Sequence, residues 1–296
     1  MANNSFLDQL KNQYKNGGMH IRLLAWNLAV FLTIQLLIVI LGDNHPLLDD
    51  IFTMPSNWYG FVTHPWSVFT SIFSHFGFLH FLFNMIFLYF AGQMFLQFFS
   101  GKRLLYTYIF GGVFGGLIHL GLSYALPMYI SHYNQVVGAS GAIMAIFIAL
   151  AVYKPKLSVY LYGILKVPMF ALALFFVLKD FLSIGESDNI AHFVHLGGAL
   201  FGFLSVRKLN TSSNIITRLA KVVDSIKVKV TDRFTNPKLR KVQGRKPASK
   251  LKDDEYNVTK KMSQEQIDAI LDKISRSGYD SLTKQEKEFL FKQSSK

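Results

Sequence analysis

"VVGASGAIMA", residues 136–145, holds one hydroxyl, Ser140, between Gly138 and Gly141, in a stretch without a single charge. The uncharged run extends from 104 to 153. Another covers 51–101, and a third 23–42. A membrane helix needs roughly 20 apolar residues, so these runs decide the fold class before any finer pattern is read. The question they leave is why a lone serine sits among glycines at membrane depth.

Composition supports the same reading. Of 296 residues, 51% are hydrophobic and 17% charged, where soluble proteins average about 25% charged. The charge is also unevenly spread. Residues 207–296 carry 22 of the 31 Lys+Arg but only 11 of the 18 Asp+Glu, so the tail holds +11 of the +13 net charge. Such asymmetry points to a membrane or nucleic-acid partner for the basic part. Cysteine is absent, which excludes disulfide and thiolate chemistry. The start shows no cleavable signal pattern, because the first apolar run begins after about 20 polar residues and is too long for an h-region.

The apolar runs divide into six predicted spans: 23–42, 74–98, 104–126, 138–153, 160–178 and 190–206. Pro127 and "SHYNQ" (131–135) break the long run into its two halves, and "KDFLSIGESDN" (179–189) reads as a loop. With six spans, Arg22, Lys102, Arg103, Lys154, Lys156, Arg207 and Lys208 all fall on one side, while Lys179 stands alone on the other. The excess of Lys and Arg marks the cytoplasmic side, so both termini are expected inside and Ser140 near the outer face. The predicted organisation is a cytoplasmic N-terminus (1–20), a membrane domain (21–208), a basic disordered linker (209–262) that includes "PKLRKVQGRKPASK" (237–250), and a helical hairpin (263–296). Ser263 with Gln266 and Thr283 with Glu286 give its capping signals. Ile267, Ile270, Leu271 and Ile274 give its apolar face. The linker's charge suits anionic lipid on the cytoplasmic side or a cytoplasmic partner; nucleic acid is not expected.

Taken alone, small residues around Ser140 suit close helix packing. The sixth span, "NIAHFVHLGGALFGF" (189–203), adds a second possibility. Histidine inside a membrane helix is a functional candidate by default, and this span has His192 and His195. His195, Gly198 and Gly202 share one face. That G-x-x-x-G face admits a small-residue helix, and Gly141 and Ala145 provide one, which would bring His195 to Ser140. Serine needs a base to act as a nucleophile, and histidine is the commonest. With no Asp or Glu in the fourth or sixth span, the pattern reads as a Ser–His dyad. In "SHFGFLHFLFNMIF" (74–87), His80 and Asn84 lie one turn apart and offer N–H groups to an oxyanion, although either can equally tie helices together. His75 reads as structural. No cofactor is expected. Four histidines invite a metal reading, but H-E-x-x-H is missing and the spans contain no acid to serve as base.

Three motifs in order, His80–Asn84, Gly138–Ser140–Gly141 and His195–Gly198–Gly202, resemble the rhomboid family of intramembrane serine proteases over residues 20–208. The resemblance implies an all-α, six-transmembrane-helix bundle with a water-accessible cavity. It makes Ser140 the nucleophile and His195 the base, with His80, Asn84 and the Ser140 amide as the oxyanion site. Substrates would be single-pass membrane proteins cut at small-residue, helix-destabilised sites. Some residues depart from the family pattern: Ser67 replaces the arginine after Trp66, Leu96 and Gln97 stand where an acid is usual after Gly92, and Met144 stands where an aromatic ring often packs. A non-proteolytic rhomboid-like protein that handles membrane clients is the alternative. The C-terminal end is similar to a short domain of unknown role found after such cores in some bacteria, which implies a bacterial inner-membrane location.

Overall fold

The computed structural model describes residues 6–126, 135–161, 165–185, 190–209, 211–235, 270, 273–274 and 281–288. The chain forms two units, Met1–Asp232 and Arg233–Lys296. In the first, α1 (Phe6–Asn16) leads into α2 (Gly18–Leu41). Three short helices follow, α3 (Pro46–Phe52), α4 (Trp58–Thr63) and α5 (Ser67–Thr70), with β1 (Met54–Pro55) between the first two. Then come α6 (Phe78–Leu96), α7 (Gly101–Ala125), β2 (Gln135–Val136) and α8 (Ser140–Tyr153). The hairpin β3 (Ser158–Leu161) and β4 (Leu165–Pro168) precedes α9 (Met169–Leu182), α10 (His192–Val206) and α11 (Ile215–Thr235).

A helix that is apolar on every side must be surrounded, and α8 is the case here. Gly141 through Ala151 are all buried, and α7 and α10 pack directly against it through glycine. A Cβ on Gly198 would overlap the Gly141 carbonyl oxygen, and one on Gly202 the Ala145 carbonyl oxygen. A Cβ on Gly197 would stand 2.8 Å from the Gly115 Cα of α7. The three helices therefore touch backbone to backbone. The outside of the unit is greasy: Leu32, Leu36, Val39, Phe83, Phe90 and Phe175 are exposed, an exterior suited to lipid tails.

The basic side chains gather at one end. A Cβ on Gly92, near the end of α6, would meet His20 at the start of α2, and one on Gly101 would meet Met19. Lys154, after α8, lies 5.5 Å over the Phe98 ring. Arg103 donates to the Ser205 carbonyl and, at 3.2 Å, to Asn214 Oδ1. Ser140 and His195, at the first turns of α8 and α10, lie at the other end of their helices.

Several expectations need correction. The unit is not purely helical: β1 pairs antiparallel with β2, Met54 opposite Val136, and β3 with β4. The first ladder ties the early loop to the strand just before Ser140. The fifth apolar run does not begin as a helix at 160. Ser158–Leu161 pairs antiparallel with Leu165–Pro168, consistent with β-branched and aromatic residues preferring strands, and Pro168, in extended conformation, stands at the N-cap of the helix that follows. That helix runs on to Leu182, through residues read as loop. By length and composition, α2, α6 and α7 can cross a membrane, whereas α8 and α10 are shorter apolar helices. Finally, part of the expected disordered linker is helix α11. Its Ile216 is buried with Tyr106 and Phe201, and Leu219 and Val223 pack alongside. Lys102 pairs with its Asp224 at 2.9 Å. Residues 236–262 lie outside the described part, as do Ser263, Gln266, Ile267 and Leu271.

In the second unit, Thr283 opens a helix at 284–288 with a reciprocal cap. The Thr283 N–H donates to Glu286 Oε2 at 2.7 Å, and the Glu286 N–H donates to Thr283 Oγ1 at 3.4 Å. Lys273 donates to both Glu286 oxygens at 3.0 Å. The Thr283 N–H, then Lys273, hold the Glu286 carboxyl down to about 2, against an ordinary 4.5.

Gly198→Val is expected to lower the thermal unfolding temperature sharply in detergent. Overpacking typically costs about 1–3 kcal/mol, and the colliding atom here is backbone, which cannot rotate away. Gly121→Val is the control, since nothing lies within 4 Å of its Cβ position; equal melting of the two variants would contradict this packing. For Glu286 the folded pKa is depressed, so its contribution to the cap is present above the ordinary value and is lost as pH falls from about 4.5 through about 2. A carboxyl ¹³C titration of the full-length protein should find that low midpoint, and Thr283→Pro, which removes the N–H, should raise it.

Candidate active site

Ser140 is the first residue of α8, preceded by Gly138 at φ +115°. That left-handed conformation favours glycine, and the space is taken as well. A Cβ there would stand 2.9 Å from the His80 ring. The turn is pinned from two sides. The Gly138 N–H donates to the Ser71 carbonyl at 2.9 Å, and the Ala139 N–H donates to His75 Nε2 at 3.3 Å. His75 Nε2 is thus an acceptor, and its Nδ1–H donates to the Phe73 carbonyl at 3.2 Å. His75 is buried and structural, and its work is to hold the Ser140 turn.

The two residues expected together are together. Ser140 Oγ lies 2.7 Å from His195 Nε2. They open onto a cavity of about 220 Å³ whose lining includes Asn84, Phe87, Ile143, Met144, Phe147 and Phe176. Asn84 therefore faces the same space as Ser140. One of its amide N–H groups is used on the His80 carbonyl at 2.8 Å, leaving the second for a ligand. His80 is exposed and is not among the lining residues; its ring packs on Gly138 instead. The first N–H groups of a helix have no carbonyl ahead of them in the helix, and they give this end a partial positive charge. The start of α8 brings that property to Ser140. At Trp66, the indole N–H donates to the Asp50 carbonyl at 2.9 Å, and Ser67 beside it is buried.

The sequence reading missed one residue. Asp180, in the last turn of α9, stands behind the histidine: His195 Nδ1–H donates to Asp180 Oδ1 at 2.9 Å, and His192 Nδ1–H donates to the same oxygen at 2.8 Å. The expectation that no carboxylate backs His195 is overturned. The acid comes from the fifth apolar run, not from the fourth or sixth, and was missed because that span was ended at 178, four residues before the helix stops at Leu182. A usable signal was present: Asp180 is followed by the apolar Phe181 and Leu182, so the apolar periodicity continues past the charge.

Asp180, His192 and His195 offer three possible metal-ligand atoms within 4.8 Å of one another. Each histidine Nδ1 is already committed to the carboxylate, and His195 Nε2 to Ser140. The arrangement can move a proton from a hydroxyl to an imidazole beside an apolar cavity. That is the equipment of nucleophilic acyl transfer.

Comparison with known proteins agrees with the fold. The rhomboid domain family matches residues 62–210, and a family of unknown function, DUF6576, matches residues 251–296. The chain is similar to RHOMBOID-like protein 12, mitochondrial, of Arabidopsis thaliana, with 34% identity over 142 residues, 44% of this chain and 42% of that protein. It is also similar to the presenilin-associated rhomboid-like protein, mitochondrial, of Bos taurus and of Homo sapiens. In each the identity is 29% over 138 residues, 45% of this chain and 35% of the relative. The chain thus spans well under half the length of the relatives it matches. Their names place them in mitochondria, which lends no support to a bacterial inner membrane.

Proposed function

The chain belongs to the rhomboid family, and from that premise we propose that it is an intramembrane serine endopeptidase. With helices long and apolar enough to cross a bilayer, it is an integral membrane protein. In this proposal α2, α6, α7, α8, α9 and α10 are six spans, and the basic end, with both termini, faces the cytoplasm. The observation that carries the reading is the 2.7 Å contact between Ser140 Oγ and His195 Nε2 at the wall of an apolar cavity.

Ser140 is the nucleophile. As its oxygen attacks the scissile carbonyl, its proton passes to His195 Nε2. The carbonyl oxygen becomes an oxyanion, which receives the Ser140 N–H and the free Asn84 N–H. His80, expected as a third donor, supports this site through Gly138; it would reach the oxyanion only by turning inward. His195 then returns the proton to the leaving amine. Water, deprotonated by the same nitrogen, releases the acyl group and restores Ser140. The cavity's phenyl and aliphatic lining suits an unfolded stretch of a single-pass membrane protein rather than a polar peptide. Small residues near the cut would let that chain enter. The basic tail is assigned to anionic lipid at the cytoplasmic surface, where each Lys or Arg near the surface contributes about 1 kcal/mol.

Ser140→Ala is expected to abolish cleavage of a transmembrane reporter and labelling by a fluorophosphonate probe, with expression unchanged, because only one small oxygen is lost. His195→Ala should do the same. Phenanthroline should leave the rate unaffected, and inhibition reversed by zinc would replace this mechanism with a metal one. Undiminished cleavage by Ser140→Ala would remove the nucleophile from the scheme.

Asn84→Ala should lower kcat by up to about 10²–10³-fold, the usual effect of losing one oxyanion donor. The loss should fall on kcat. A rise in KM alone would make Asn84 a ground-state substrate contact.

A further inference from the structure

We propose that Asp180 is the positioning carboxylate of this centre, fixing the tautomer and orientation of His195, and that His192 in turn holds Asp180. The inference rests on the assignment of Ser140 as nucleophile and His195 as base.

The argument starts from what a carboxylate can do. It accepts hydrogen bonds and donates none. Because Asp180 Oδ1 lies 2.9 Å from His195 Nδ1, the ring's proton must sit on Nδ1. A neutral imidazole has one N–H, so Nε2 carries the lone pair. That nitrogen is the one 2.7 Å from Ser140 Oγ. Without an acceptor behind it, the ring is free to carry its proton on Nε2 and present no base to the serine. In the proton transfer, the Ser140 hydrogen moves to Nε2, the Nδ1 hydrogen stays on the ring, and the carboxylate remains unprotonated. The ring becomes a cation beside an anion, an attraction that exists only once the proton has moved and that therefore favours the transition state.

The second histidine has a different task. Asp180 and His192 side chains are 4% and 3% exposed, whereas His195 is 17% exposed toward the cavity. A buried carboxylate persists only where donors satisfy it. His192 and His195 are one turn apart on α10, on one face, and both donate to the same oxygen. One donor alone would leave the carboxylate free to rotate about its last bond. Two donors from a single helix turn fix its plane, and with it the His195 ring. The link also spans two elements, since Asp180 ends α9 while both histidines begin α10. A bare tie between helices would need only one histidine and would not need the one that faces Ser140.

The test uses full-length protein in detergent and a transmembrane reporter, with Ser140→Ala as the reference for the nucleophile. Asp180→Asn keeps the shape and removes the charge. It is expected to lower kcat by about 10²-fold or more, toward the order of 10⁴ known where Asn replaces a triad Asp, with KM within about threefold and unfolding near that of the parent. The ¹⁵N spectrum of His195 should report the Nδ1–H form in the parent and lose it in the variant. His192→Phe should lower kcat about tenfold. Asp180→Asn/His192→Phe should be no slower than Asp180→Asn, because His192 acts through Asp180. Parent-like kcat in Asp180→Asn, or a change in KM alone, would overturn the inference and leave Asp180 as a helix tie. Should Asp180→Asn not fold, His192→Phe decides: a fall confined to kcat supports the proposal and an unchanged kcat rejects it. Cleavage that survives Ser140→Ala strikes the underlying assignment instead, and is read separately.

Discussion

The backbone contact between α8 and α10 is the constraint on which the rest depends. Gly198 stands against the Gly141 carbonyl and Gly202 against the Ala145 carbonyl, with no room for a Cβ at either. In lipid, apolar side chains gain little by leaving one greasy surface for another, so helix association relies on close packing. Glycine permits that closeness and sets the register of the two helices. The register sets the chemistry, because Ser140 begins one helix and His195 lies in the first turn of the other. A displacement of about 1 Å at such a contact is enough to part Ser140 Oγ from His195 Nε2, which lie 2.7 Å apart.

Around this pair, the polar groups of the site are handled with economy. His75 spends both ring nitrogens on backbone, pinning the turn before Ser140. Asn84 gives one N–H to its own helix and keeps the other for the cavity. Asp180 is satisfied by two histidines. At the basic end, Arg103 bridges the end of α10 and the approach to α11. Polar side chains at membrane depth are costly unless paired, and each of these has a partner.

The tail follows ordinary soluble rules by comparison. Helix α11 places Ile216, Leu219 and Val223 on the core and leaves Val222 and Ile226 exposed. An amphipathic helix of this kind, next to a basic membrane end, suits the interface between lipid and water. Thr283 and Glu286 cap each other through backbone N–H groups, a local device that needs no tertiary help.

The sequence by itself determined what depends on local order. Uncharged runs told membrane from water, Lys and Arg spacing grouped the ends, and Thr-x-x-Glu announced a helix start. Ser140, His195, Gly198 and Gly202 were legible because their motifs are short and each lies within or at the start of a single helix. Tertiary structure decided what depends on distance between elements. Asp180 is separated from Ser140 by 40 residues and from His195 by 15, and it acts only where the end of α9 meets the start of α10. The pairing of Met54 with Val136 joins segments with no shared pattern. The paired strands 158–161 and 165–168 took the place of helix in the first part of an apolar run, because Pro168 and β-branched residues such as Val159 and Val167 resist helix while hydropathy counts only their grease. Helix α11 was hidden in a basic stretch for the opposite reason: its apolar face matters only once Tyr106 and Phe201 are there to cover it. Periodicity reports which residues turn inward; what they meet there is a property of the folded chain.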